Sequence, residues 1–244
     1  MLHLLQADPR LQRVMEVLEE PAYESWKNVS GTGLDIMHAS YEDPCRYMYL
    51  FQSYVLITRL LLHNSAARRS KPTLLVTERS VSTDRIVFVE ALLEQGYLDE
   101  PEAVAYDSWY KAVVTSLPNI LADSFIYLRA SPSVCYHRLK TRARSEEAGV
   151  GLDYLQLLHR KHDDWFLRST SLLASHTAGN EEGNGIRIID KQTIASGVQG
   201  RPVLVVDCSS DLNMAEKSPE RDAIVDQIVD FLLSRLSAEG IGQH

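Results

Sequence analysis

Leu74-Leu75-Val76-Thr77-Glu78-Arg79-Ser80, with Asp84-Arg85 and Phe88 close behind, runs a short apolar segment straight into an acid, an arginine and a hydroxyl. The apolar part lacks strict alternation, the pattern of a strand covered on both faces. In open α/β sheets ligands bind at the carboxyl ends of strands, so Glu78 and Arg79 form a candidate site. A structural ion pair capping a helix also accounts for these residues.

Working outward, Arg13-Leu18, Phe125-Leu128 and Val203-Val206 share the same non-alternating apolar character. Between them lie helix-length amphipathic segments, roughly Tyr47-His63, Ser82-Gln95, Pro101-Ser116, Pro132-Arg144, Leu152-Leu173 and Pro219-Leu236. An α/β chain with right-handed crossovers and a parallel sheet is the economical fold. The 244 residues, 45% hydrophobic, suffice for one sizeable core and read as a single domain, with a surface loop at His176-Gly185. A formal charge of −8 argues against a non-specific nucleic-acid binder. Cys45, Cys135 and Cys208 lack metal-ligand spacing, which points to a reducing compartment, cytoplasmic or mitochondrial. The apolar run Tyr47-Leu62 is interrupted by Gln52, Ser53 and Arg59, so no membrane span is expected, and no signal peptide is visible.

Two predicted helices carry unusual polar positions. Gln52, Val55 and Arg59 fall at i, i+3 and i+7 and so share one face. Solvated, they are ordinary; facing a pocket, the Gln amide presents a donor and an acceptor side by side, which suits a nucleobase edge. The helix opening at Ser131-Pro132 has a cap and a first-turn proline, and its far half carries Arg138, Lys140, Arg142 and Arg144. These cations either complement the helix dipole or form a mobile clamp over a polyphosphate. His159 and His162 with Asp163-Asp164 are expected to form a solvated face rather than a metal site.

In these blocks the sequence resembles the deoxynucleoside kinase family. The likeness rests on Glu20-Pro21 through Trp26-Lys27-Asn28-Val29, on Tyr41 and Asp43-Pro44 leading to Phe51-Gln52-Ser53-Tyr54, and on Glu78-Arg79-Ser80 with Asp84-Arg85 and Phe88. It continues in Tyr127-Leu128-Arg129, in Ser131-Pro132 through Arg142-Ala143-Arg144-Ser145-Glu146-Glu147, and in Tyr154-Leu155, Leu158-His159, His162 and Trp165. The resemblance implies a P-loop-kinase-like three-layer α/β fold, a parallel sheet surrounded by helices, with a lid near residues 138–150. It implies transfer of the ATP γ-phosphate to the 5′-hydroxyl of a deoxynucleoside, with Mg2+, in a homodimer formed through helices. By resemblance Glu20 is the general base, with Glu78 in reserve; Arg79 steadies the hydroxyl and incoming phosphate; and Glu78 sits close to the metal. Arg138, Arg142 and Arg144 form the lid, while Tyr41 and Glu147 hold the sugar 3′-hydroxyl. Gln52 pairs with the base, Phe88 stacks on it and Trp26 closes the pocket. Arg59 and Asp84 look like the deoxycytidine and deoxyguanosine kinase pattern, and Val55 like the multisubstrate enzyme, so deoxycytidine or purine deoxynucleosides are the expected acceptors.

One departure is large. The glycine-rich loop Gly-x-x-x-x-Gly-Lys-Ser/Thr does not occur in these 244 residues. Met1-Leu2-His3-Leu4-Leu5 looks like the helix that follows that loop, so the expectation is a chain starting just downstream of it, lacking the central first strand and competence as a kinase. The spacing from Glu20 to Trp26 is also longer than the family's usual one. A kinase-like accessory subunit of respiratory complex I and a nucleoside-binding regulator without turnover are the competing readings.

Overall fold

The computed structural model describes residues 1–19, 23–69, 73–117, 119–144, 147, 149–168, 170–174, 185–189, 198–210, 214 and 216–240. Helix α1 (Leu2–Ala7) leads to strand β1 (Met15–Leu18), followed by α2 (Tyr23–Lys27), α3 (Ile36–Glu42) and the long α4 (Pro44–Arg69). β2 (Leu74–Thr77) runs into α5 (Val81–Thr83), which widens into a π-helical turn over Asp84–Val89 and resumes as α6 (Glu90–Glu94). After α7 (Glu100–Ser116) come β3 (Phe125–Arg129), α8 (Pro132–Arg142) and α9 (Leu152–Asp163), which continues as a second π-helical turn, Asp164–Arg168. β4 (Thr170–Ala174), β5 (Gly185–Ile189), β6 (Pro202–Asp207) and α10 (Pro219–Gly240) complete the described elements.

Each apolar run read from the sequence as a strand contributes one. β1 pairs with β2 in parallel, and β3 with β6 likewise, in register from Phe125 opposite Val203 to Arg129 opposite Asp207. β6 is buried from Pro202 to Val206 because both its faces are covered. Val203 and Val205 pack with Phe125, Tyr127, Trp165 and Phe166, while Leu204 and Val206 pack with Leu5 of α1 and with Ile228 and Phe231 of α10. Each such side chain contributes roughly 1.5–3 kcal/mol on leaving water, so the non-alternating run is the chain's answer to two apolar neighbours. A further core joins α4, α5, α6 and α7 through Leu56, Val81, Leu92, Tyr106 and Tyr110.

One feature differs from the expectation, and one, a divided sheet, agrees with the expected lack of a central strand. The predicted helix Leu152-Leu173 stops being α-helical at Asp163, and its tail becomes β4, which pairs antiparallel with β5; β5 in turn pairs antiparallel with β6. The β3-β6 pair is therefore extended by an antiparallel edge. The sheet is also divided: among the described residues the strand orders are β1-β2 and β3-β6-β5-β4, with no pairing between β2 and β3. The predicted loop His176-Gly185 lies outside the described residues except for Gly185, the first residue of β5.

Local signals fix the helix starts. Asp99 and Glu102 form a reciprocal capping box at α7, with Asp99 Oδ1 accepting from the Glu102 amide at 2.8 Å and Glu102 Oε2 accepting from the Asp99 amide at 3.1 Å. Ser131 caps α8 ahead of Pro132, and the helix ends where Ala143 turns left-handed at φ 51°.

Candidate active site

The site grows from the end of β2. The amide of Glu78 still donates to the Leu18 carbonyl, prolonging the β1-β2 ladder, and then the chain turns sharply: Arg79 adopts φ 59°, a conformation that costs a side-chain-bearing residue energy. Thr77 Oγ1 donates to the Arg79 carbonyl at 2.9 Å, and Ser80 caps α5 by accepting from the Thr83 amide at 3.1 Å, so both sides of the strained residue are held. The turn brings the Arg79 guanidinium over the Phe88 ring, 4.8 Å from its centroid. Phe88 and Asp84 both lie on the π-helical turn, a wider helix often found at functional sites.

Asp84 is 2% exposed and meets Arg59 of α4, Nε to Oδ2 at 2.8 Å and Nη2 to Oδ1 at 3.4 Å. Arg59 Nη1 also donates to the Glu78 carbonyl at 2.9 Å, which ties the α4 face to the end of β2. Gln52 and Val55 are buried on that same face. Trp26 packs edge-on against Phe51 at 5.6 Å and donates from Nε1 to Thr58 Oγ1 at 3.2 Å, so its ring is fixed beside Val55.

Between the two sheets lies a cavity of about 860 Å³ lined by Leu74–Ser80 of β2 and its turn, by Phe125–Leu128 of β3, and by Glu19, Trp26, Arg142, Arg144 and His162. An adjoining cavity of about 640 Å³ reaches Arg59 and shares Glu78, Arg79 and Ser80. Glu78, Arg79, Trp26, Arg142 and Arg144 are thus brought together, whereas Gln52, Val55, Asp84, Phe88 and Tyr41 stand behind or beside this lining. Tyr41, 40% exposed on α3, lies near Tyr154 of α9, whose hydroxyl is pushed up by burial and then by Tyr41. Glu20 lies outside the described residues, as do Ser145, Glu146 and Ala148 of the predicted lid. Arg138 donates to the Ser210 carbonyl at 2.9 Å and does not line the cavity. Glu147, expected to hold a sugar hydroxyl, accepts from Arg142 Nη2 with both oxygens at 2.7 Å and lies 3.8 Å from Arg144.

The charged stretch on α9 is a correction. Asp163 is not on a solvated face: it accepts from Arg129 Nη2 at 2.9 Å and from the Tyr127 hydroxyl at 2.9 Å, with His159 Nε2 at 3.2 Å. Burial alone raises a carboxyl, but the bonds from Arg129 and Tyr127 overturn that and hold Asp163 below its usual range. His162 is turned inward too, whereas Asp164 pairs with Arg168 nearer the surface. The sequence did carry a signal: Tyr154, Leu158 and His162 recur at i, i+4 and i+8, one face of α9.

A buried arginine-aspartate pair behind a strained arginine, with further arginines across a cavity, is the frame in which likeness to known proteins becomes informative. The family model for deoxynucleoside kinase matches residues 7–233. The chain belongs to the deoxynucleoside kinase family. Among its relatives, the rat (Rattus norvegicus) deoxycytidine kinase is 30% identical over 235 residues, covering 89% of this chain and 80% of that one. A probable deoxycytidine kinase of fowlpox virus (strain NVSL) is 39% identical over 149 residues, 61% of this chain, and the match spans only 60% of the viral protein. Human mitochondrial thymidine kinase 2 is 34% identical over 157 residues, 64% of this chain and 56% of that one. The α/β, P-loop-kinase-like fold class implied by the resemblance is the family's, and by lineage this deoxynucleoside kinase is a phosphotransferase. Among the described residues no helix is long and apolar enough to cross a membrane.

Proposed function

We propose that this deoxynucleoside kinase binds deoxycytidine or a purine deoxynucleoside and directs its 5′-hydroxyl toward the γ-phosphate of ATP, a step of nucleotide salvage. The observation that carries this reading is the Arg59-Asp84 pair, 2.8 Å apart and buried, whose guanidinium also reaches the carbonyl of Glu78. In a nucleoside pocket on the Gln52 face, that pair offers fixed charge and hydrogen bonds to an exocyclic amino group or purine edge and leaves the methyl group of thymine without a favourable neighbour. Gln52 is read as pairing with the base, Phe88 and Trp26 as its aromatic walls, and Val55 as the small residue beneath it.

Phosphoryl transfer depends mainly on positioning and on stabilising charge, which suits Arg79 near the 5′-hydroxyl and Arg142 and Arg144 across the cavity. Arg138 joins them as the third arginine of a lid spanning about residues 138–150. Glu20, next to the cavity-lining Glu19, is the proposed general base, and Glu78 is the alternative. Tyr41 and Glu147 are the proposed partners of the 3′-hydroxyl, Glu147 exchanging its arginines for the sugar. Among the described residues no three His, Cys, Asp or Glu side chains cluster. Magnesium typically takes one or two carboxylates plus substrate phosphates, so Glu78 fits as its protein ligand. The metal supplies charge neutralisation on the phosphates when bound.

The exposed apolar residues Leu50, Ile57 and Leu61 recur at i, i+7 and i+11 on α4, and Val104 and Trp109 of the neighbouring α7 are also exposed. We read these as the face of a homodimer; Ile57→Glu with Leu61→Glu is expected to give a monomer in sedimentation. Cys45, Cys135 and Cys208 are all free thiols, which suits the cytoplasm or mitochondrion.

Calorimetric titration of the purified chain with the deoxynucleosides tests the function, with ATP-dependent formation of the 5′-monophosphate as a second arm. Deoxycytidine or a purine deoxynucleoside is expected to bind at least about tenfold tighter than thymidine. Thymidine binding of equal strength, or no binding by any deoxynucleoside, refutes the reading. Binding without turnover even in a variant supplied with the glycine-rich loop that these residues lack identifies a nucleoside-binding regulator instead.

A further inference from the structure

His162 is a half-buried histidine that the proposed chemistry does not use. Its Nδ1 lies 2.7 Å from the Leu158 carbonyl, one helical turn back on α9. A carbonyl can only accept, so Nδ1 carries the hydrogen and the neutral ring is held in a single tautomer and orientation. Two rings meet it there. The ring of Tyr127 lies almost parallel, 12° off at 5.7 Å, and that of Phe88 stands perpendicular, 89° at 6.4 Å. Phe88 in turn lies under the Arg79 guanidinium at 4.8 Å. The far end of the series is anchored as well, because the Tyr127 hydroxyl donates to Asp163, which Arg129 grips through two nitrogens.

Tyr127, His162, Phe88 and Arg79 therefore form one continuous stack linking β3 to the turn after β2. The backbone of Arg79 is fixed by its left-handed turn, and its long side chain lies over the Phe88 ring. We propose that His162 is a positioning residue: its imidazole, wedged between Tyr127 and Phe88, sets the Phe88 ring and through it the Arg79 guanidinium that faces the acceptor. The role of Arg79 in this inference rests on the function proposed above. Both an edge-to-face aromatic pair and a cation over a ring are favourable contacts, so losing the wedge is expected to weaken acceptor binding about tenfold.

The test uses the full chain as wild type, His162→Ala, His162→Phe, Arg79→Lys and the double variant His162→Ala/Arg79→Lys, titrated by calorimetry with deoxycytidine and, separately, with ATP. Expected are a roughly tenfold loss of deoxycytidine affinity in His162→Ala, recovery to within about threefold in His162→Phe, whose ring keeps the wedge, and unchanged ATP affinity. Because the stack acts through Arg79, the His162→Ala and Arg79→Lys effects should be non-additive. Thermal melting separates misfolding from mispositioning, and His162→Phe supplies the comparison if His162→Ala does not fold. Additive effects, equal losses in the Phe and Ala variants, parallel losses for both ligands, or an unaltered deoxycytidine affinity overturn the inference while the wild type still binds. A wild type that binds no deoxynucleoside overturns the functional reading and this inference with it.

Discussion

Asp84→Ala removes the carboxylate from a guanidinium that has little water to fall back on. The Arg59 side chain is 8% exposed and that of Asp84 2%, and the contact uses two nitrogens on two oxygens, at 2.8 and 3.4 Å. After the substitution Arg59 keeps its bond to the Glu78 carbonyl, but its charge loses the Asp84 carboxylate inside the protein. Breaking a buried pair on one side typically costs about 3–5 kcal/mol, a large share of the roughly 5–15 kcal/mol that stabilises a domain. At roughly 2–4 °C per kcal/mol for a chain of this size, the melting temperature should fall by roughly 6–20 °C. Arg59→Met with Asp84→Ala removes both charges, and the loss should shrink well below that of Asp84→Ala, since the apolar replacement leaves no buried ion. The same double variant should improve thymidine binding relative to deoxycytidine. Urea denaturation of both variants, with calorimetry of the two nucleosides, reads stability and specificity on the same proteins. A loss below about 1 kcal/mol for Asp84→Ala would falsify the burial argument. An unchanged nucleoside preference in the double variant would remove the pair from base selection.

Burial, and after it the Arg79 charge, lowers His162 from its ordinary value of about 6.5, so below that pH the unfolded chain binds a proton that the folded chain resists. Stability should therefore decline as pH falls below about 6.5 and be flat above it for this group, with the slope reduced in His162→Phe, as urea midpoints across pH 5–8 would reveal. Asp99→Ala destroys the capping box of α7 and should cost about 1 kcal/mol without altering nucleoside affinity, checked by denaturation and calorimetry together.

The parallel strands were legible because their reason is local: Val203–Val206 is apolar at every position, as a strand between two apolar layers must be. The ends of α7 and α8 were legible within a residue or two from Pro101, Ser131 and Pro132, residues whose backbone chemistry admits few alternatives. The Gln52, Val55 and Arg59 face emerged from helical spacing, and its burial excludes the solvated alternative. β4 was lost because Trp165, Phe166 and Leu167 continue the apolar pattern of α9 smoothly, and the helix gives way through a π-helical turn that spacing rules do not register. Asp163 was misplaced for a different reason. A charged residue among charges on a helix reads as solvated, and only the fold brings Arg129 and Tyr127, more than thirty positions away in sequence, to its oxygens. The pairing of Glu147 with Arg142 spans a short sequence distance, yet which of its neighbours a carboxylate takes leaves no trace in composition.

The π-helical turn over Asp84–Val89 has a consequence for how this chain can change. Its extra residue lets Asp84 face α4 while Phe88 faces α9. Removing one residue anywhere within it would restore an ordinary helix and swing the preceding side chains by about 100° relative to those that follow. Such a deletion disconnects the two contacts even though every remaining amino acid is kept. At this turn the register of the chain, more than the identity of any one residue, carries the geometry of these two contacts, so insertions and deletions are the mutations to which it is least tolerant.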